Sequence, residues 1–163
     1  MRLKDRRVKT HSCSEIHGEL EGQEVCLAGY VRVIRDLGGI KFFILYDRDG
    51  EIQITAPRVQ TPPEVFTKID QITPESTVWV RGRVKRTPQA PRGVEVIPQE
   101  IEVFSRASVP LPLDPTGRIK SSLDTRLNAR ILDLRHPKRR AIFKIRHVVT
   151  NAIREFLNSR GFL

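Results

Sequence analysis

GYVRVIRDLGGIKFFILYDRDGEIQITAP, residues Gly29–Pro57, is the stretch on which the fold turns. Its apolar residues recur at every second position and its breaks fall at Asp, Gly and Pro, the pattern of half-buried strands joined by tight turns. Just upstream the alternation begins, with Val25, Leu27, Val31 and Val33 set against Cys26, Ala28, Tyr30 and Arg32. Ile40 to Tyr46 forms a second run, and Asp47-Arg48-Asp49-Gly50 is a hairpin turn leading into Ile52 to Ala56. Together these runs predict a three-stranded meander.

Downstream, Pro62 and Pro63 suit the first turn of a short helix carrying Val65, Phe66 and Ile69. The alternation resumes at Thr77, with Val78, Val80 and Val84 on one strand face and Trp79, Arg81, Arg83 and Lys85 on the other. A loop rich in Pro, Thr87 to Gly93, leads to a last strand region from Val94 to Phe104. Three strands, a helix and two strands predict a mainly β domain over residues 25–105, a five-stranded OB-fold barrel with its short helix between strands 3 and 4. Periodicity does not give strand order, so an SH3-like barrel and an open sheet satisfy the same pattern.

Residues 1–24 read as an N-terminal extension. Beyond Arg106 the segment VPLPLDPTG is interrupted by Pro110, Pro112 and Pro115, so 106–136 reads as a hinge. In 137–163, Ile145, Val148, Val149, Ala152, Ile153 and Phe156 recur at helical spacing, which predicts an amphipathic helix ending near Gly161. Its apolar face needs a partner surface.

Lys and Arg total 29 against 19 Asp and Glu, a net charge of +10, which favours a polyanionic partner. No apolar run approaches the roughly 18 residues that span a bilayer, and MRLKDRRVKT has no apolar signal-peptide core, so a cytoplasmic protein without membrane contact is expected. Cys13 and Cys26 lack metal-ligand or disulfide-framework spacing and read as packing residues; the four His are scattered, so no metal site is expected. The charge is uneven. Residues 1–117 carry 17 basic and 16 acidic side chains, whereas 118–146 carry 10 basic side chains and only Asp124 and Asp133. Lys138, Arg139 and Arg140 fall at a helix N-terminus, where the macrodipole disfavours cations. That placement suggests either an acidic partner, nucleic-acid phosphate or carboxylates of a further domain, or a solvated charge run.

Single-stranded nucleic acid is held by aromatic platforms, phosphate-tracking cations and polar groups that meet base edges. Phe42 and Phe43 are adjacent strand residues, so one faces the core and the other is available to a base; spacing does not say which. Gln53, sharing a polar face with Glu51 and Thr55, carries a donor and an acceptor in one fork. The Trp79, Arg81, Arg83, Lys85 stripe fits a phosphate path or a solvated outer face, and Glu95 fits a base amino group or a surface ion pair. No phosphate-binding loop, nucleophile triad or zinc-protease motif appears, so no self-contained catalytic site is expected.

Gly29 to Pro57 closely resembles the anticodon-binding OB domain of aspartyl-tRNA synthetases, especially archaeal ones. RASVPLPLDPTG and LDTRLNARILDLRHP resemble that family's linker into its class II core, and AIFKIRHVVTNAIREFLNSRGFL resembles the helix of class II motif 1. The likeness runs from His11 over nearly the whole chain. It implies that Phe42 stacks on the central anticodon uridine, that Gln53 contacts that base, and that Arg35, Lys85 and Glu95 lie at the anticodon. At the positions that divide archaeal enzymes by tRNA choice stand Arg32 and Pro91. Pro91 matches relatives that accept both tRNA-Asp and tRNA-Asn; Arg32 matches neither pattern.

The resemblance further implies a parent enzyme that activates aspartate with ATP and magnesium, charges tRNA-Asp and works as a homodimer through the motif 1 helix. Motifs 2 and 3 have no counterpart in these residues, so the chain is expected to hold only the truncated start of the class II catalytic domain, at 137–163, and to bind tRNA without aminoacylating it. An asparaginyl enzyme, a free-standing accessory and a general single-strand binder are the competing readings.

Overall fold

Alternating Val, Leu and Ile residues build five strands: β1 (Glu24–Asp36), β2 (Ile40–Tyr46), β3 (Glu51–Pro57), β4 (Thr77–Arg86) and β5 (Val94–Ser105). A short helix, α1 (Pro63–Lys68), lies between β3 and β4 with two prolines at its start, as the sequence predicts. The structure is a computed structural model that describes residues 8–162; the first part of the expected N-terminal extension, residues 1–7, lies outside it. The chain divides into two units between Val109 and Pro110.

In the first unit the strands are joined in the order β1-β2-β3-β5-β4, and β4 pairs back onto β1. The ring is therefore a closed barrel. All pairings are antiparallel except β3 with β5, which run parallel through Gln53–Glu95 and Ile54–Val96. Closure removes exposed sheet edges and resolves the strand order that periodicity left open. Inside lie Val25, Leu27, Val31, Phe43, Leu45, Ile54, Val78, Val80 and Val84, each at most 2% exposed.

One part of the expected alternation fails. The pairing of β1 with β2 slips between Val31 and Ile34, a β-bulge, and Ile34 packs against the core where strict alternation assigns Val33. At the far end of β1, Gly38 takes φ 79° and donates its N–H to Asp36 Oδ1 at 2.7 Å. This left-handed turn aligns the end of β1 with the start of β2.

Two clamps hold the N-terminal residues to the barrel. The hairpin carboxylate of Asp47 accepts from Lys9 Nζ at 2.6 Å and from the backbone N–H groups of Cys13, Asp49 and Gly50 at 2.8–3.0 Å. Arg92, in the loop between β4 and β5, donates to the carbonyls of Cys13, Ser14, Ile16 and Glu51 at 2.7–3.1 Å. Cys13 is fully buried, which raises its thiol pKa well above the ordinary range, and the neighbouring Asp47 adds to the shift. Cys26 is half-buried.

The Asp47 clamp has a defined pH signature. Burial pushes this carboxyl up, but the bonds from Lys9, Cys13, Asp49 and Gly50 outweigh burial and hold it well below the usual carboxylate range. A depressed carboxyl stabilises the folded state fully above its unfolded pKa of about 4 and ceases to do so as pH falls through the depressed value. Asp47→Asn is therefore expected to cost about 1–3 kcal/mol at neutral pH. The gap to the unsubstituted chain narrows toward pH 2. Urea melts of both proteins across pH 2–7 measure this, and a gap independent of pH refutes the assignment.

The second unit holds α2 (Leu123–Asn128), α3 (Arg130–Asp133) and α4 (Pro137–Ser159). The stretch read as a hinge thus contains two short helical segments. Ser122 caps α2 by accepting from the Thr125 N–H at 3.2 Å, and His136 caps α4 through Nδ1 from the Lys138 N–H at 3.2 Å. Asp133 is 2% exposed and binds Arg126, Arg130 and Arg139. Burial raises its carboxyl, and the three guanidiniums more than reverse that. The acidic partner of Arg139 at the start of α4 therefore lies inside this chain, where the sequence suggested tRNA or another domain. Along α4, Ile145, Val148, Val149, Ile153 and Phe156 are all more than half exposed. Among the described residues, no helix is long and apolar enough to cross a membrane.

Candidate nucleic-acid interface

Strand register places the predicted residues on one outer face of the barrel. Residues directly opposite one another on paired strands project to the same side. Arg35 stands opposite Phe42, and Phe42 opposite Thr55. Two residues along, Ile44 stands opposite Gln53, Gln53 opposite Glu95, and Glu95 opposite Lys85. The result is two adjacent rows, one crossing β1, β2 and β3 and the other β2, β3, β5 and β4. Arg35 and Lys85 are exposed, Phe42 and Gln53 half-buried. Phe43 is 1% exposed in the core, which settles which phenylalanine is available.

Glu95, 4% exposed, is held from both sides. Its Oε2 accepts from Thr55 Oγ1 at 2.6 Å and from Gln53 Nε2 at 3.2 Å, and its Oε1 accepts from Thr87 Oγ1 at 2.8 Å. Gln53 Nε2 also donates to Thr55 Oγ1 at 3.0 Å. Any base amino group would share oxygens that already have protein donors.

Arg32 lies at the other edge of this face. Its guanidinium pairs with Glu51 at 2.9 Å and sits 4.2 Å from the centre of the Tyr46 ring. Pro91 is exposed and, with Ile44, Glu51, Gln53, Arg92 and Val94, lines a shallow depression beside the Gln53 amide. Pro91 is thus brought next to Gln53, while Arg32 is engaged with its own sheet.

The stripe on β4 behaves differently along its length. Trp79 is 5% exposed and Arg81 is bound to Glu24 and Glu100, so neither end of that pair presents a free cation or ring. Arg83 and Lys85 remain exposed. Two participants escaped sequence reasoning: Thr87, whose hydroxyl reaches Glu95 across the β4–β5 loop, and Arg92, which anchors that loop. Neither had a local signal, since both act through contacts set by loop closure. Lys41 was also unforeseen. It is 4% exposed, donates to the Phe66 carbonyl at 3.0 Å and to Asp70 at 2.6 Å, and ties the strand carrying Phe42 to α1 and the 3-10 turn after it.

Comparisons with known proteins give the family of the chain. Residues 25–104 match the OB-fold nucleic acid binding domain family, and residues 122–163 match the class II tRNA synthetases (D, K and N). The chain is 55% identical over 150 residues to an aspartate–tRNA(Asp/Asn) ligase of Methanopyrus kandleri, covering 92% of this chain and 35% of that protein. It is 51% identical over 156 residues to an aspartate–tRNA(Asp) ligase of Pyrococcus horikoshii, covering 96% of this chain and 36% of the relative. Among solved structures, the asparaginyl-tRNA synthetase of P. horikoshii superposes with a TM-score of 0.82 at 32% identity, over 94% of this chain and 35% of that one. The chain spans about a third of the length of the curated relatives it matches. With the OB barrel at 25–104 and the start of the synthetase domain at 122–163, it belongs to the class II aspartyl-tRNA synthetase family.

Proposed function

We propose that residues 25–105 bind the anticodon of tRNA-Asp and act as the recognition domain of an aspartate–tRNA ligase. The observation that carries this reading is the pair of rows on one sheet face: a stacking ring at Phe42, a base-edge amide at Gln53 and flanking cations at Arg35 and Lys85. The whole protein would join aspartate to the tRNA in the cytoplasm with ATP and magnesium, a chemistry to which we assign none of the residues of this chain. The exposed apolar row of α4 would be covered by the rest of the synthetase domain and by a second subunit of a homodimer.

For tRNA choice, we favour recognition of both tRNA-Asp and tRNA-Asn. Pro91 brings no donor or charge to the rim beside Gln53, and Arg32 is occupied by Glu51 and Tyr46. Fluorescence anisotropy with RNA stem-loops is expected to give affinities for GUC and GUU anticodons within about threefold of each other. A strong preference for GUC refutes the relaxed choice. Affinity that ignores the central base refutes anticodon reading altogether and leaves a general single-strand binder.

A further inference from the structure

The hydrogen bonds around Gln53 run in one direction only. A carboxylate accepts and never donates, so the single hydroxyl protons of Thr55 and Thr87 are both committed to Glu95. With its proton given away, Thr55 Oγ1 can only accept from the Gln53 atom 3.0 Å away. That atom must be the NH2. Turning the amide over would set its carbonyl oxygen against Glu95 Oε2 and the Thr55 lone pairs with no proton between them. Among the described residues, none donates to Gln53 Oε1.

We propose that Glu95, through Thr55, locks the Gln53 amide with its NH2 turned into the protein and its Oε1 offered to the ligand. The position then takes a base that presents a ring N–H, as uracil does at N3. It refuses cytosine, which has the same size but a lone pair at that atom. Glu95 is in this account a positioning residue, acting on base choice through Gln53, and Thr55 and Thr87 complete the device. The inference rests on the anticodon reading above and names the atoms that enforce it.

Glu95→Gln tests it with little change of shape. A carboxamide at position 95 satisfies Thr55, Thr87 and Gln53 in either sense: its oxygen can face Gln53 with its NH2 toward Thr87, or the reverse. Both amide orientations of Gln53 then become fully bonded. The unsubstituted chain is expected to prefer a GUC stem-loop over GCC by about tenfold or more. In E95Q that ratio is expected to fall toward one, chiefly because GCC binding improves. A fall in the ratio that comes from weakened GUC binding alone would mean that Glu95 contacts the base directly, and an unchanged ratio, with or without equal weakening on both RNAs, would mean that it has no part in base choice; either overturns the proposal. Absence of any U-over-C preference in the unsubstituted chain would instead overturn the anticodon reading itself.

A measurement on the unsubstituted protein is independent of how the variant folds. Nuclear Overhauser contacts from the Gln53 side-chain NH2 protons to Thr55 are expected in the free protein, and their absence with a folded barrel overturns the lock. Thr55→Ser, which keeps the hydroxyl, is expected to retain the U-over-C ratio, and loss of the ratio in that folded variant also counts against it.

Discussion

Replacing Phe42 by alanine is expected to weaken binding of a GUC stem-loop by about 10- to 100-fold, the cost of one lost base stack. The fold should survive, because this ring is half-buried on the outer face and lies outside the buried core cluster. Anisotropy titrations paired with thermal melts separate the two effects. Phe42→Tyr, which keeps a stacking ring, should restore most of the affinity. Undiminished binding by the alanine variant would show that no base rests on this position.

The neighbouring residue should behave in the opposite way. Phe43 is 1% exposed at the centre of the barrel, among the largest fully buried side chains. Phe43→Ala removes its burial and leaves a cavity that close-packed strands fill poorly, at a cost of about 3–5 kcal/mol. Against a typical domain stability of about 5–15 kcal/mol, that is enough to shift the urea midpoint markedly or to unfold the barrel at room temperature. A midpoint within experimental error of the unsubstituted chain would remove Phe43 from the core. The two adjacent substitutions thus dissect one strand into a binding side and a folding side.

How these residues sort themselves shows which parts of the molecule are local and which are not. The strands around Ile40–Tyr46 and Glu51–Pro57 and the turn at Asp47–Gly50 follow from alternation and turn chemistry within a few residues, so they are visible in the sequence. Two consecutive phenylalanines carry no phase of their own. Family likeness singled out Phe42, and the barrel supplies the physical reason by burying Phe43. The parallel pairing of Gln53 with Glu95 joins residues 42 positions apart, and the reach of Thr87 to Glu95 depends on the β4–β5 loop closing. Neither leaves a periodic trace. The segmental charge count located the basic excess correctly, but it had no means of showing that Asp133 is buried and gathers three of those arginines. An isolated Asp in a basic segment reads as solvent-exposed until packing encloses it.

The bulge in β1 also bears on how this surface tolerates change in chain length. Arg32 and Arg35 are three positions apart, an odd spacing that in an unbroken strand sends two side chains to opposite sides of the sheet. The extra residue between Val31 and Ile34 restores them to one side, Arg32 against Tyr46 and Glu51 and Arg35 opposite Phe42, while Val31 and Ile34 both turn inward. A one-residue deletion at the bulge would leave a single residue opposite Ile44 and keep Ile34 and Arg35 on their present sides, whereas the same deletion in an unbroken part of β1 turns the residues beyond it to the other side or forces the strand to slip. The loss of one residue is therefore absorbed at the bulge, while elsewhere along β1 it exchanges the outer face with the core.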